Sequence, residues 1–182
     1  MKTLVIVTHP NIHDSMVSKT WVQMLRQHPD RFTVHELYSE YPDGVIDVER
    51  EQKLVESHDN VVFQFPVYWF NCPPLLKQWC DEVLTYGWAY GSKGKAFENK
   101  KLGIAVSLGA PASEYSAEGS VGYTVAETLR PFELTANYIS ANYQPLFTFH
   151  TIDTYESYDE AAAQQVADSA DDYLAHLNTY YA

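Results

Sequence analysis

The sequence predicts an α/β protein: a doubly wound, five-stranded parallel sheet in the order 2-1-3-4-5, with helices on both faces. Three observations predict it. Short apolar runs such as Leu4-Val5-Ile6-Val7 and Val61-Val62-Phe63 lack polar alternation, as strands buried on both faces do. Segments with apolar residues at helical spacing separate these runs. The strand–helix order then repeats five times within 182 residues, a length that suits one domain spanning 1–182.

Taken in order, residues 4–7 form the first strand, which ends in the loop Thr8-His9-Pro10-Asn11. Pro10 biases His9 away from helix. Asp14 or Ser15 then caps a helix running to about residue 28, with Met16, Trp21, Met24 and Leu25 near one face. Residues 32–37 alternate as a strand does. Val48, Leu54 and Val55 mark a second helix ending near Ser57-His58. Residues 61–65 form a buried strand stopped by Pro66. After the loop 66–72, Pro73 or Pro74 opens a helix that carries Leu75, Leu76, Trp79, Val83 and Leu84. Residues 86–100 are irregular and rich in Gly and Lys. Residues 102–107 form a strand, and a loop continues to Gly122. A helix from about 124 to 138 and a strand from about 143 to 149 come next. The last element is an acidic helix over 159–177, with Val166, Ala170, Tyr173, Leu174 and Leu177 near one face.

The chain carries 12 Lys and Arg against 24 Asp and Glu, a net charge of −12. Arg130 is the last basic residue. Eight carboxylates follow it: Glu133, Asp153, Glu156, Asp159, Glu160, Asp168, Asp171 and Asp172. Without a basic face, nucleic acid is excluded as a partner and an anionic membrane surface is disfavoured. No apolar run approaches the about 18 residues of a membrane span. The first apolar run is also too short for a secretory leader, so a cytoplasmic protein is expected. Cys72 and Cys80 read as reduced structural thiols, and no metal site is expected from their spacing. With 14 Tyr and 4 Trp, aromatic residues are plentiful. They suit a core, a dimer interface or a surface that stacks on a flat ligand.

In this fold, ligands bind beyond the carboxyl ends of the strands, where the first and third strands diverge. Three loops meet there: 8–18, 66–72 and 107–122. The first leads into a helix whose N-terminal N–H groups suit a phosphate, with Ser15, Ser18 and His9 as further donors. Ser15 as a plain helix cap is the alternative. Neither GxxxxGK[ST] nor GxGxxG is present. The second loop sets Tyr68, Trp69 and Phe70 between prolines, either to pack in the core or to stack on a planar ligand. In the third, Ser107-Leu108-Gly109-Ala110 offers backbone N–H groups, and Gly109 permits close approach. Tyr115 is a surface residue or a hydrogen-bond donor to the same ligand. Lys93, Lys95, Lys100 and Lys101 read as a solvated face, a contact for an acidic partner or a contact for a second nucleotide phosphate. No role is assigned to His13, His28, His35, His58, His150 or His176.

Three stretches together resemble a known family. Residues 4–10 resemble its first strand and loop. Gln64-Phe65-Pro66-Val67-Tyr68-Trp69-Phe70-Asn71-Cys72-Pro73-Pro74-Leu75-Leu76-Lys77-Gln78-Trp79 resembles its FPxxWxxxPxxLKxW signature, and Gly87-Trp88-Ala89-Tyr90-Gly91 its GWAYG segment. The family is the flavodoxin-like NAD(P)H:quinone reductases, or NAD(P)H dehydrogenases (quinone). The match is to the short bacterial members, which include ancillary proteins of glutathione-gated potassium-efflux systems. The resemblance covers roughly residues 3–150.

The resemblance implies a non-covalent flavin, FMN as in the short members or FAD as in the larger animal ones, held by a homodimer at the subunit boundary. It implies that hydride passes from NAD(P)H to the flavin, and that two electrons then go to a quinone or similar acceptor by a ping-pong route. The alternative it implies is an ancillary subunit of a potassium-efflux membrane protein, peripheral at the inner face of the membrane, with flavin mainly structural. By resemblance, His9, Ser15, Met16, Val17 and Ser18 hold the phosphate and ribityl chain. Pro66, Val67, Tyr68, Trp69 and Phe70 lie along the isoalloxazine. Ser107, Leu108, Gly109 and Ala110 meet its pyrimidine end, and Tyr115 falls on the active-site tyrosine. Two departures stand out. Ser107-Leu108-Gly109-Ala110 replaces a Thr-Thr-Gly-Gly loop, and Val121 stands where larger members carry a histidine after the tyrosine. The acidic excess does not oppose an anionic cofactor, because residues 9–18 carry only Asp14 as a carboxylate.

Overall fold

A computed structural model describes residues 1–150 and 159–182. Its sheet is parallel throughout, built from β1 (Thr3–Val7), β2 (Phe32–Glu36), β3 (Asn60–Pro66), β4 (Lys101–Leu108), β5 (Asn142–Tyr143) and β6 (Phe147–His150). The order is β2-β1-β3-β4-β5, with β6 also paired to β4, so the flavodoxin-like 2-1-3-4-5 order is observed. Five helices of at least eight residues are described: α1 (Val17–Leu25), α3 (Val48–Glu56), α4 (Pro74–Val83), α6 (Arg130–Tyr138) and α7 (Glu160–Tyr180). The short α2 (Leu37–Glu40) and α5 (Val125–Thr128) join them.

Successive β1 residues feed two cores. Leu4 and Ile6 pack on one face with Trp79 and Leu76 of α4 and Ala136 of α6. Val5 and Val7 pack on the other with Trp21 of α1 and Tyr173 and Leu177 of α7. A strand covered on both faces has no side to leave polar, which is why β1 and β3 read as continuous apolar runs. Trp21 donates its indole N–H to Ser169 Oγ at 2.9 Å, tying α1 to α7.

Several boundaries differ from the sequence reading, mostly at prolines. α1 stops at Leu25, because tight turns close Gln27 onto Met24 and His28 onto Leu25 before Pro29. Met16 sits ahead of this helix and is exposed, away from the buried face of Trp21, Met24 and Leu25. The single helix expected over 124–138 is two, broken just before Pro131, which lacks an N–H to continue the first. Thr124 and Glu127 close a capping box at its start. The strand expected over 143–149 is likewise split, at Pro145, into β5 and β6. α2 was not expected, and Leu174 is only partly buried. Asp153 and Glu156 lie outside the described residues.

Gly103 in β4 is demanded by packing. A Cβ there would sit 2.0 Å from the hydroxyl oxygen of the buried Tyr181. Gly103→Ala is therefore expected to cost about 1–3 kcal/mol by overpacking, read as a lower denaturant midpoint. An unchanged midpoint would mean that Tyr181 yields freely.

Candidate active site

The carboxyl ends of β1, β3 and β4 are stitched together by backbone bonds. Thr8 N–H donates to the Gln64 carbonyl at 2.9 Å, and Val67 N–H to the Ser107 carbonyl at 2.9 Å. Pro66 and Ser107 lie opposite each other in the β3–β4 register. The loops 8–18, 66–72 and 107–122 thus rise from one end of the sheet, as the topology requires.

On the first loop, His9 is half-buried, and burial lowers its pKa. Its Nδ1 accepts the Asn11 N–H at 3.1 Å, so the neutral ring carries its proton on Nε2 as a donor. Ser15 Oγ accepts the Ser18 N–H at 3.0 Å, so Ser15 caps α1. The N–H groups of Met16 and Val17 precede the first bonds within that helix. Ser18 is buried, and its carbonyl accepts from Gln64 Nε2 at 3.4 Å. Ser18 therefore supports the loop from below, and Met16 stands outside at 42% exposure.

On the second loop, residues 68–71 form a tight turn. Tyr68 N–H donates to the Asn71 carbonyl at 2.8 Å, and Asn71 N–H returns to the Tyr68 carbonyl at 3.0 Å. Trp69 and Phe70 sit at φ +48° and +61°, left-handed positions that usually take Asn and Gly. Trp69 is 92% exposed, with Tyr68 and Phe70 about half so. These three aromatics do not pack in the core; the turn holds them out at the end of β3. Two large residues held in this conformation store strain of a kind found at functional sites. Trp69→Gly is expected to raise stability by about 0.5–1 kcal/mol, because relief of the left-handed cost exceeds glycine's extra chain entropy. Calorimetric melting checks it, and a loss would show that the exposed indole makes stabilising contacts.

On the third loop, a Cβ on Gly109 would meet no protein atom within 4 Å. Space is open there, whereas a Cβ on Gly119 would sit 2.2 Å from the Glu114 carbonyl oxygen. Tyr115 is partly buried, and burial, with Glu114 beside it, raises its pKa. Val121 is half-buried and bonds its N–H to the Glu114 carbonyl at 3.1 Å. The residue that sequence reasoning missed is His150, at the end of β6. Its Nδ1 lies 2.9 Å from the Ala110 carbonyl oxygen, and its ring centroid 5.8 Å from that of Tyr115.

The three loops carry no Lys or Arg. An anion here would be held by helix N–H groups, a hydroxyl and a neutral imidazole, which suits a flavin phosphate. Exposed aromatics at the same end of the sheet as the open space at Gly109 suit a flat ring. The residues present therefore fit FMN. The lysine stretch lies elsewhere, near the amino end of β4. Lys95 pairs with Glu98 at 3.3 Å, Lys100 donates to the His58 carbonyl, and Lys101 to the Ala182 carbonyl at 3.0 Å. That end of the sheet is opposite the three loops. Among the described residues no cluster of metal-ligating side chains occurs. Cys72 and Cys80 are both free and line a cavity of about 280 Å³ between α4 and Pro131–Thr135, behind the aromatic turn. Burial pushes the Cys80 thiol up to about 12, which keeps it inert.

Several known proteins are similar to this chain. A family described as having the flavodoxin-like fold matches residues 1–177. General stress protein 14 of Treponema denticola, solved in complex with FMN, is 64% identical, with 98% of this chain and 99% of that chain covered and a TM-score of 0.93. An NADPH-quinone reductase structure from P. pentosaceus is 33% identical over 95% and 97% of the two chains, with a TM-score of 0.81. Among curated relatives, the NAD(P)H oxidoreductase YrkL of Bacillus subtilis is 55% identical over 81% of this chain and 84% of its own. The potassium-efflux ancillary protein KefG of Erwinia tasmaniensis is 41% identical over 74% and 73%.

Proposed function

The chain belongs to this flavodoxin-like family, and on that premise we propose an FMN-dependent NAD(P)H oxidoreductase that delivers two electrons to a quinone or similar acceptor. The observation that carries the reading is the strained, solvent-facing Tyr68-Trp69-Phe70 turn at the same end of the sheet as the open space at Gly109. When bound, FMN would supply the electron chemistry that links reduced nicotinamide to a two-electron acceptor. The protein binds, orients and shields.

In this reading the α1 N-terminus, Ser15 and the His9 Nε2–H hold the phosphate end. Val17 and Ser18 set the height of that helix end from below. Pro66 to Phe70 flank the ring, and the backbone of residues 107–110 lies along its polar edge, with Gly109 closest. Tyr115 holds a proton at its raised-pKa hydroxyl, available at the rim. One shared pocket for nicotinamide and acceptor accounts for alternating, ping-pong turnover.

The same reading includes a homodimer. Tyr86, Leu134 and Tyr138 are all more than half exposed, and Tyr90 meets Tyr86 edge-on at 5.8 Å between centroids and Tyr138 at a tilt at 5.3 Å. An aromatic patch of this kind supports burial against a second copy. No helix among the described residues is long and apolar enough to cross a membrane. Two free cysteines support a reducing, cytoplasmic setting. Sequence similarity to KefG favours a second reading, an ancillary subunit docked on a potassium-efflux protein.

Purified protein should be yellow, or turn so on adding FMN, and lose its visible absorbance anaerobically with NADH or NADPH. Colourless protein that takes up no FMN would sink the reading. Capture of a potassium-efflux membrane protein without any turnover of quinone would favour the second.

A further inference from the structure

The loop from Gly109 to Gly122 is poorly held by its own bonds. Those of Glu114, Tyr115, Gly119 and Val121 are all local, and Gly109, Pro111, Ala112 and Ser113 are exposed. A loop of this kind keeps one position only where something outside it provides a tie. His150 provides one from the neighbouring strand. Register sets it opposite Leu108, at the end of the β4–β6 pair. From there Nδ1 reaches the Ala110 carbonyl oxygen at 2.9 Å, across 40 residues of sequence. A carbonyl only accepts, so Nδ1 carries the proton in both the neutral and the charged ring. The same ring packs on Tyr115 at 5.8 Å between centroids, tilted by 58°.

We propose that His150 is a positioning residue for the flavin site, holding the Ala110 carbonyl with Nδ1–H and the Tyr115 ring through a tilted ring contact. One side chain thereby fixes both the 107–110 backbone and the tyrosine hydroxyl relative to the sheet. The proposal rests on the FMN reading above. It supplies from β6 a histidine beside Tyr115, although Val121 follows that tyrosine in sequence.

The test compares wild type with His150→Asn and His150→Phe. The Asn amide N–H stands where Nδ1–H does, and Phe keeps a ring without the donor. Each protein is first shown folded by circular dichroism. FMN affinity is read by fluorescence quenching, and the two-electron potential and visible spectrum of the bound flavin are recorded. His150→Phe is expected to weaken FMN binding about fivefold, the worth of one neutral hydrogen bond, and to shift the potential and spectrum. His150→Asn should restore affinity to near wild type. If wild type binds FMN and His150→Phe matches it in affinity, potential and spectrum, the proposal alone is overturned. If His150→Asn is as impaired as His150→Phe, the hydrogen bond is not the agent, and the proposal is overturned as well. If wild type takes up no FMN, the functional reading fails and this proposal with it.

Discussion

Glu51→Ala is expected to cost about 3–5 kcal/mol, the largest loss from any single truncation argued for this fold. Glu51 on α3 is fully buried. Its carboxylate takes Trp79 Nε1–H at 2.8 Å and the Tyr41 hydroxyl at 2.6 Å, and it lies 2.8 and 3.0 Å from His35 Nε2. Four segments therefore meet on one side chain: β2, the turn after α2, α3 and α4. Removing it strands two buried donors and a histidine, each with a desolvation cost of about 1–3 kcal/mol. Typical stabilities are about 5–15 kcal/mol, so the loss is a large fraction of the whole. At this chain length a fall of roughly 10 °C in Tm corresponds. Glu51→Gln keeps the volume and one acceptor and should cost less. A loss below about 1 kcal/mol in Glu51→Ala would mean that water replaces the carboxylate.

The same group sets a pH limit. Burial alone would raise the Glu51 pKa. The hydrogen bond and charge of His35, with the bonds from Tyr41 and Trp79, outweigh it and hold the pKa below its ordinary 4.5. A lowered folded pKa means a stabilisation present above about pH 4.5 and lost as pH falls through the folded value. Wild type should therefore lose stability on acidification below pH 4.5. Glu51→Gln should lose less over the same range, because it has no carboxylate there to protonate. Denaturant midpoints at stepped pH read the difference, and parallel curves would assign the acid loss to other carboxylates.

Why some of this was legible in the sequence and some not has physical causes. The sheet showed itself because β1 and β3 are covered on both faces, which writes burial as short runs of Leu, Val, Ile and Phe. The site's place followed from topology: once the strand order is known, the three loops must converge. Pro131 and Pro145 were visible as breakers, yet the apolar pattern on either side suggested continuous elements. Glu51 was hidden because Val-Glu-Arg-Glu-Gln-Lys reads as a solvated helix face. Its burial depends on Trp79 and His35, brought in from other elements. The left-handed turn at Trp69-Phe70 carries no glycine, so nothing local announces it. His150 is joined to Ala110 only through the pairing of β6 with β4, and no local pattern encodes that distance.

Gly109→Val is expected to abolish tight FMN uptake while leaving the flavin-free protein as stable as wild type. The two halves separate because of where the new side chain goes. A Cβ on Gly109 finds no protein atom within 4 Å, and the backbone there is not left-handed. Valine therefore meets neither a clash nor a strained φ, and a surface change of this kind stays within about 0.5 kcal/mol. The space it fills is the space proposed for the ring's polar edge, so FMN affinity should fall more than tenfold, about 1.4 kcal/mol or greater. Gly119→Val is the contrasting variant. Its Cβ would press to 2.2 Å from the Glu114 carbonyl oxygen, a backbone atom that cannot swing aside. That variant should lose stability directly, and affinity with it as the loop shifts. Melting of the flavin-free proteins and fluorescence titration with FMN read both quantities. Normal FMN binding by Gly109→Val would remove residues 107–110 from the flavin contact. A destabilised Gly109→Val would show that the open space belongs to the protein's own packing and not to a ligand.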